Sequence, residues 1–260
     1  MGKRFQNKVV IITGSSSGIG RGTAQKFAEE GAKITITGRN SSALKQTKDL
    51  LVSSGTPEDF ILEVIGDLTD EKIQEKVIAD TVGKFGSINI LVNNAGGLAP
   101  DRTNKEEYQR SMDVFDYVFK LNLRAAVNLM NLALPHLIKS KGEIINVSSI
   151  AALNSAVNQI TRAYAVQYIK DNVRLNCINP GIISTNILEK QGKGEKAMEV
   201  YQDDRNKIPI GRVGQPKDIA EAIAFLADRT ASEFIVGQSL VVDGGSSISN
   251  HISTGLLQDM

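Results

Sequence analysis

Short β-branched runs alternate with amphipathic stretches along the whole chain. The runs are Val9–Ile12, Ile34–Thr37, Phe60–Ile65, Ile88–Val92, Glu143–Val147, Arg174–Ile178 and Leu240–Val242. Most are nearly continuous apolar segments, the pattern expected of strands buried on both faces of a parallel sheet. Between them, GRGTAQKFAEEGA, LTDEKIQEKVIADTVGKFG, the stretch Val114–Leu137 and DIAEAIAFLAD carry apolar residues at helical spacing. Gly31 stands where a left-handed cap would close the first helix. Strand and helix alternate with no Pro/Gly/Ser-rich linker and no internal repeat. This predicts one doubly wound α/β (Rossmann) domain over residues 1–260, a seven-stranded parallel sheet with helices on both faces. The least regular stretch, residues 184–211, contains the polar segment EKQGKGEKAMEV. It reads either as a solvated surface loop or as a lid over a site.

Composition narrows the function classes. The chain is 41% hydrophobic and 23% charged, and its formal charge is +1 with both signs scattered. Nothing in that distribution suggests a nucleic-acid face or a membrane patch. No apolar run approaches the roughly 18 residues of a membrane span. The opening MGKRFQNKVVIITG has neither the long apolar stretch nor the cleavage site of a secretory signal, and Gln6 departs from a myristoylation pattern. A soluble, cytoplasmic protein is expected. The single Cys177 excludes an internal disulfide, and with only His136 and His251 beside it no metal site is expected.

The first strand runs directly into a glycine-rich turn and a helix. Gly14, Gly18 and Gly20 allow a tight turn and a close approach of backbone to a bound pyrophosphate. The helix that follows aims unpaired N–H groups and its positive dipole end at the same place. An acid at the end of the second strand would grip a ribose 2′-hydroxyl and repel a 2′-phosphate. Here Gly38 holds that place and Arg39 follows it. A planar, permanently charged guanidinium suits a phosphate, so NADP(H) is expected over NAD(H).

Thr13-Gly14-Ser15-Ser16-Ser17-Gly18-Ile19-Gly20 has the TGxxxGxG spacing of the short-chain dehydrogenase/reductase family, which the chain resembles over nearly its whole length. The resemblance implies cofactor contacts at Gly14, Ser16, Ser17, Gly18, Ile19 and Gly20, and at Asp67 and Leu68 of GDL. It implies others at Asn94, Ala95 and Gly96 of NNAG and at Pro180, Gly181, Ile183 and Thr185 of NPGIIST. Asp67 could also cap the helix that begins in LTDEKI. Asn122 of KLNL and Ser149 of NVSS correspond to the family's active-site asparagine and serine. The family's activity, hydride transfer between a nicotinamide and a small carbonyl or alcohol, implies a small-molecule substrate and a homodimer or homotetramer.

One part of the family pattern is absent. Relatives carry a Tyr-x-x-x-Lys pair on the helix after the serine. The tyrosine moves the proton, and the lysine one turn along lowers its pKa. After Ser149 this chain reads IAALNSAVNQITRAYAVQYIKDNVRLN. The lysine should fall near Asn154 and the tyrosine near Ile150, and about a dozen residues of preceding loop are gone. Tyr117 precedes Lys120 by three residues, Tyr164 precedes Tyr168, and Tyr201 precedes Arg205, so none forms the pair. Tyr164 is expected in helix packing, Ile150–Leu153 as a four-residue loop, and Asn154-Ser155 as the cap of the shortened helix. Two readings follow: an NADP(H)-dependent oxidoreductase impaired by the missing pair, or a non-enzymatic NADP(H)-binding relative acting as sensor or assembly partner.

Overall fold

The computed structural model describes residues 2–97, 111–152, 155–185 and 204–252. Leu153, Asn154, Tyr201 and most of the expected lid, residues 186–203, lie outside the described residues. In chain order the elements are β1 (Val9–Ile12), α1 (Gly18–Glu29), β2 (Lys33–Gly38), α2 (Ser41–Ser53), β3 (Ile61–Ile65) and α3 (Glu71–Phe85). Then come β4 (Ile90–Asn93), α4 (Met112–Phe119), α5 (Ala125–Ser140), β5 (Glu143–Val147), α6 (Ala156–Tyr168) and β6 (Arg174–Pro180). The last are α7 (Pro216–Ala227), α8 (Arg229–Ser232), β7 (Ser239–Val242) and α9 (Ser246–Ile252).

The seven strands form one sheet in the order β3-β2-β1-β4-β5-β6-β7, with every pairing parallel. Because side chains alternate across a strand, each strand feeds two cores. Val10 and Ile12 join Phe27, Ile34 and Ile223 on one side, where α1 packs against α7. Ile11 joins Val77, Leu91 and Leu129 on the other, where α3 packs against α5. A fully buried aliphatic side chain contributes about 1.5–3 kcal/mol, so these two layers hold the sheet.

Several expected boundaries move for local reasons. Phe60 lies in a 3₁₀ turn over Glu58–Phe60 that follows Pro57, so the third strand starts one residue later. Ile88 is buried but precedes β4, because Asn89 next to it caps the strand edge by exchanging bonds with Val9. The stretch expected as one helix over Val114–Leu137 is broken by a π turn at Lys120–Arg124. The edge strands β3 and β7 are not buried on both faces: Ile65, Leu240 and Val241 are exposed. Gly31 does close α1, with φ of +88° and its N–H donated to Ala28 O.

A buried charge cluster ties the amino ends of the last strands to their covering helices. Glu143 of β5 stands in register with Arg174 of β6. Arg174 Nε lies 2.9 Å from Glu143 Oε2, a charge contact outside good hydrogen-bond alignment. The rest of that guanidinium donates to the carbonyls of Leu226, Ser232 and Ile235. Arg229 Nε donates to Glu143 Oε1 at 2.9 Å. Removing one member leaves an uncompensated buried charge, so Glu143→Ala is expected to cost about 3–5 kcal/mol. Urea unfolding of the variant checks this; a loss below about 1 kcal/mol would mean that the cluster relaxes into solvent.

Candidate functional site

β1 leads to β2 on one side and β4 leads to β5 on the other, so a crevice opens between their carboxyl ends. Thr13 stitches the two exits together. Its Oγ1 accepts the backbone N–H of Asn94 at 2.9 Å and of Ala95 at 2.8 Å, while the Asn94 amide donates to Thr13 O at 2.8 Å. The approach is so close that side chains are excluded. Gly14 has φ of +65°, and a Cβ there would lie 2.9 Å from Ala95 Cα. A Cβ on Gly20 would lie 2.3 Å from Gly14 O. Ser17 occupies the N-cap of α1, but its hydroxyl makes no capping bond. The first-turn N–H groups of that helix thus face the crevice without a side-chain acceptor.

A cavity of about 500 Å³ occupies this crevice. Of the residues expected at a site, Gly14, Ser16, Ser17, Gly18, Ile19, Gly20, Arg39, Asp67, Leu68, Asn94, Ala95, Gly96, Asn122, Ser149 and Thr185 line it. Pro180, Gly181 and Ile183 do not. Pro180 is buried as the last residue of β6, and Gly181 donates to Val242 O with its bare face against Asp243. Ile183 is buried beside Gly214, with which it forms an isolated bridge. Thr185 reaches the cavity by lying over Gly18.

At one end Arg39 crosses from β2 toward α4. Its Nη1 donates to Tyr117 Oη at 2.5 Å and sits 3.5 Å from Asp67 Oδ2. Asp67 does not cap α3; its Oδ1 accepts the N–H of Thr69 at 2.9 Å, and Asp70 takes the cap by accepting from Lys72.

At the other end the π turn presents Asn122 inward. Its Oδ1 accepts Gly97 N–H at 2.9 Å and its Nδ2 donates to Gly97 O at 3.0 Å, which fixes the strand exit beside it. Ser149 Oγ accepts the N–H of Ala151 at 3.2 Å. Between β5 and α6 a 3₁₀ turn spans Ile150–Ala152, within the four-residue loop expected over Ile150–Leu153. Ser155 takes the N-cap position, yet its hydroxyl pairs with that of Ser148 at 3.2 Å instead of capping. A buried amide ladder holds the helix in place: Asn93 Nδ2 donates to Asn146 Oδ1 at 2.9 Å, and Asn146 Nδ2 to Thr161 Oγ1 at 2.8 Å.

Among the described residues the cavity lining contains no tyrosine and no lysine. Tyr117 is bonded to Arg39, Tyr164 donates to Asn131 Oδ1 at 2.8 Å, and Tyr168 stacks with Tyr164. Cys177 lies behind Asn158 rather than in the lining, and burial pushes its thiol up to about 12, so it is a poor proton donor or nucleophile near neutrality. Sequence reasoning missed Gly66, Gly97, Leu121, Val147, Ser155 and Val157 as lining residues. Gly66, Gly97 and Leu121 adjoin expected contacts and could have been found by adjacency; Ser155 and Val157 lie at the start of α6, where no expected contact points.

The glycine contacts yield a paired test. Gly83 lies in α3 with nothing within 4 Å of a built Cβ, so Gly83→Ala should stabilise by about 0.5–1 kcal/mol. Gly20→Ala gains the same helix propensity but meets backbone, and is expected to destabilise by about 1–3 kcal/mol net. Denaturant melts of both variants decide; equal effects would contradict the close approach.

Comparison with known proteins agrees with this geometry. A family model described as enoyl-(acyl carrier protein) reductase matches residues 14–247. The chain is 34% identical to 7alpha-hydroxysteroid dehydrogenase of Bacteroides fragilis, over 95% of this chain and 97% of that one. It superposes with a TM-score of 0.88 on a short-chain dehydrogenase/reductase of unknown function from Caenorhabditis elegans, solved with cofactor, at 41% identity over 94% of this chain and 97% of that one. It matches L-sorbose reductase of Gluconobacter frateurii, solved with NADPH and L-sorbose, with a TM-score of 0.81 at 30% identity over 95% of this chain and 99% of that one. With the glycine turn, the sheet order and these full-length matches in agreement, the chain belongs to the short-chain dehydrogenase/reductase family of oxidoreductases.

Proposed function

We propose that the chain is a single NADP(H)-binding domain whose hydride-transfer chemistry on a small carbonyl or alcohol is severely impaired for want of a proton donor. The cavity lining carries this reading: the glycine turn, Arg39, Asp67 and Asn94 border it, and no tyrosine or lysine stands among the described lining residues. The residues fit the cofactor. The glycine turn, held tight by the close packing of Gly14 on Ala95 and of Gly20 on Gly14, and the open first turn of α1 would receive the pyrophosphate, and Arg39 would face the ribose 2′ position. When bound, the nicotinamide supplies or accepts the hydride. Asn94 and Ala95 shape the wall beside the turn, and Ser149 would orient a substrate oxygen.

A positioned acid/base typically contributes about 10²–10⁴-fold to rate, and no tyrosine or lysine placed to supply it stands among the described lining residues. Hydrogen bonding by Ser149 stabilises a developing oxyanion but delivers no net proton at neutral pH. The family relatives named above include proteins named for a steroid alcohol and for a ketose, which supports a carbonyl or alcohol substrate without narrowing it. The second reading, a non-catalytic NADP(H)-binding relative, is supported by the same lining, in which Ser149 Oγ accepts only the Ala151 N–H among the described residues.

Calorimetric titration of the purified chain with NADPH and NADH should give tighter NADPH binding, and Arg39→Asp should reverse the order. NADPH oxidation against a panel of ketones, ketoses and steroid ketones should run about 10²–10⁴-fold below ordinary family rates. Turnover at ordinary rates that Ser149→Ala abolishes would overturn the impairment, and equal affinity for both cofactors would overturn the NADP(H) assignment.

A further inference from the structure

The geometry points to Tyr117 as a positioning residue that holds the Arg39 guanidinium with one edge free for a phosphate at the adenosine end of the cavity. The inference rests on the NADP(H) reading and adds to it a residue from a different part of the chain. Arg39 leaves the end of β2 just beyond Gly38 and is about half exposed. A lone arginine so placed samples many rotamers, and ordering it on a ligand weakens binding. Here it is already ordered. The Tyr117 hydroxyl accepts from Nη1 at 2.5 Å, across 78 residues of sequence, and the Asp67 carboxylate lies 3.5 Å from the same nitrogen. Asp67 is itself fixed by the N–H of Thr69.

Both partners converge on one corner of the guanidinium. Nε and Nη2 make no hydrogen bond to any described residue, and those two form the parallel fork that takes an oxyanion in bidentate fashion. Arg39 and Asp67 line the cavity whereas Tyr117 stands behind them, so the phenol braces the arginine without competing for the ligand. Tyr117 is held in turn by its ring, which packs on the core cluster that includes Leu68 and Leu121. Its hydroxyl has no other described partner. The ring therefore serves packing and the hydroxyl serves Arg39, and the two roles separate by a single atom.

The test uses Tyr117→Phe, which keeps the ring, with calorimetric titration of 2′,5′-ADP and of 5′-AMP as probes. The two ligands differ only in the 2′-phosphate. The expected result is an affinity for 2′,5′-ADP about three- to tenfold weaker, with that for 5′-AMP and the melting temperature unchanged. Unchanged 2′,5′-ADP affinity, tighter 2′,5′-ADP binding, or an equal loss for both ligands would each overturn the positioning role. Arg39→Ala separates this from failure of the cofactor reading. If that variant leaves the ratio of the two affinities untouched, the NADP(H) assignment falls. If it collapses the ratio while Tyr117→Phe does not, only the role of Tyr117 falls.

Discussion

The contact between the exits of β1 and β4 constrains everything else in the cavity. Thr13 accepts two backbone N–H groups from the second exit, and Asn94 returns a bond to the first. That stitch brings Gly14 against Ala95 and Gly20 against Gly14, distances at which a methyl group on either glycine would strike backbone. The start of α1 is consequently pressed toward the sheet edge with its first-turn N–H groups aimed into the crevice. An anion site of this kind follows from chain geometry, before any ligand is considered.

The second constraint lies across the sheet, where β4, β5 and α6 meet. Asn93, Asn146 and Thr161 pass hydrogen bonds from β4 through β5 to the middle of α6, all of them buried. An unpaired amide in that position would cost more than the bond contributes, so the helix is pinned by its middle. Its first turn is then free to vary without moving the sheet. The cofactor half and the chemical half of the cavity are thus mechanically separable. The glycine turn and Arg39 border one end of the cavity, and among the described residues no tyrosine or lysine lines the other.

Much of this architecture was legible in the sequence because it rests on local patterns. The buried strands read as apolar runs, and the glycine turn read as a spacing. The helix α2 did not, because its buried face includes Thr47 beside Leu44 and Leu51 and so dilutes the apolar period. The π turn around Asn122 was hidden inside a helical pattern that continues unbroken on either side. Pro180, Gly181 and Ile183 do not line the cavity among the described residues; Gly181 packs against Asp243 and Ile183 pairs with Gly214, both far along the chain. Arg39 was evident from its place after β2, whereas Tyr117 could not be paired with it, since no rule of spacing joins residues on β2 and α4.

A crystal structure of the chain with NADPH would test the separation of binding from chemistry most directly. The account predicts the pyrophosphate on the first turn of α1, the 2′-phosphate on Arg39, and no tyrosine or lysine side chain within hydrogen-bond reach of the substrate-facing side of the nicotinamide. A tyrosine hydroxyl from any part of the chain beside Ser149 and the nicotinamide would contradict it, because the proton donor would then be present after all.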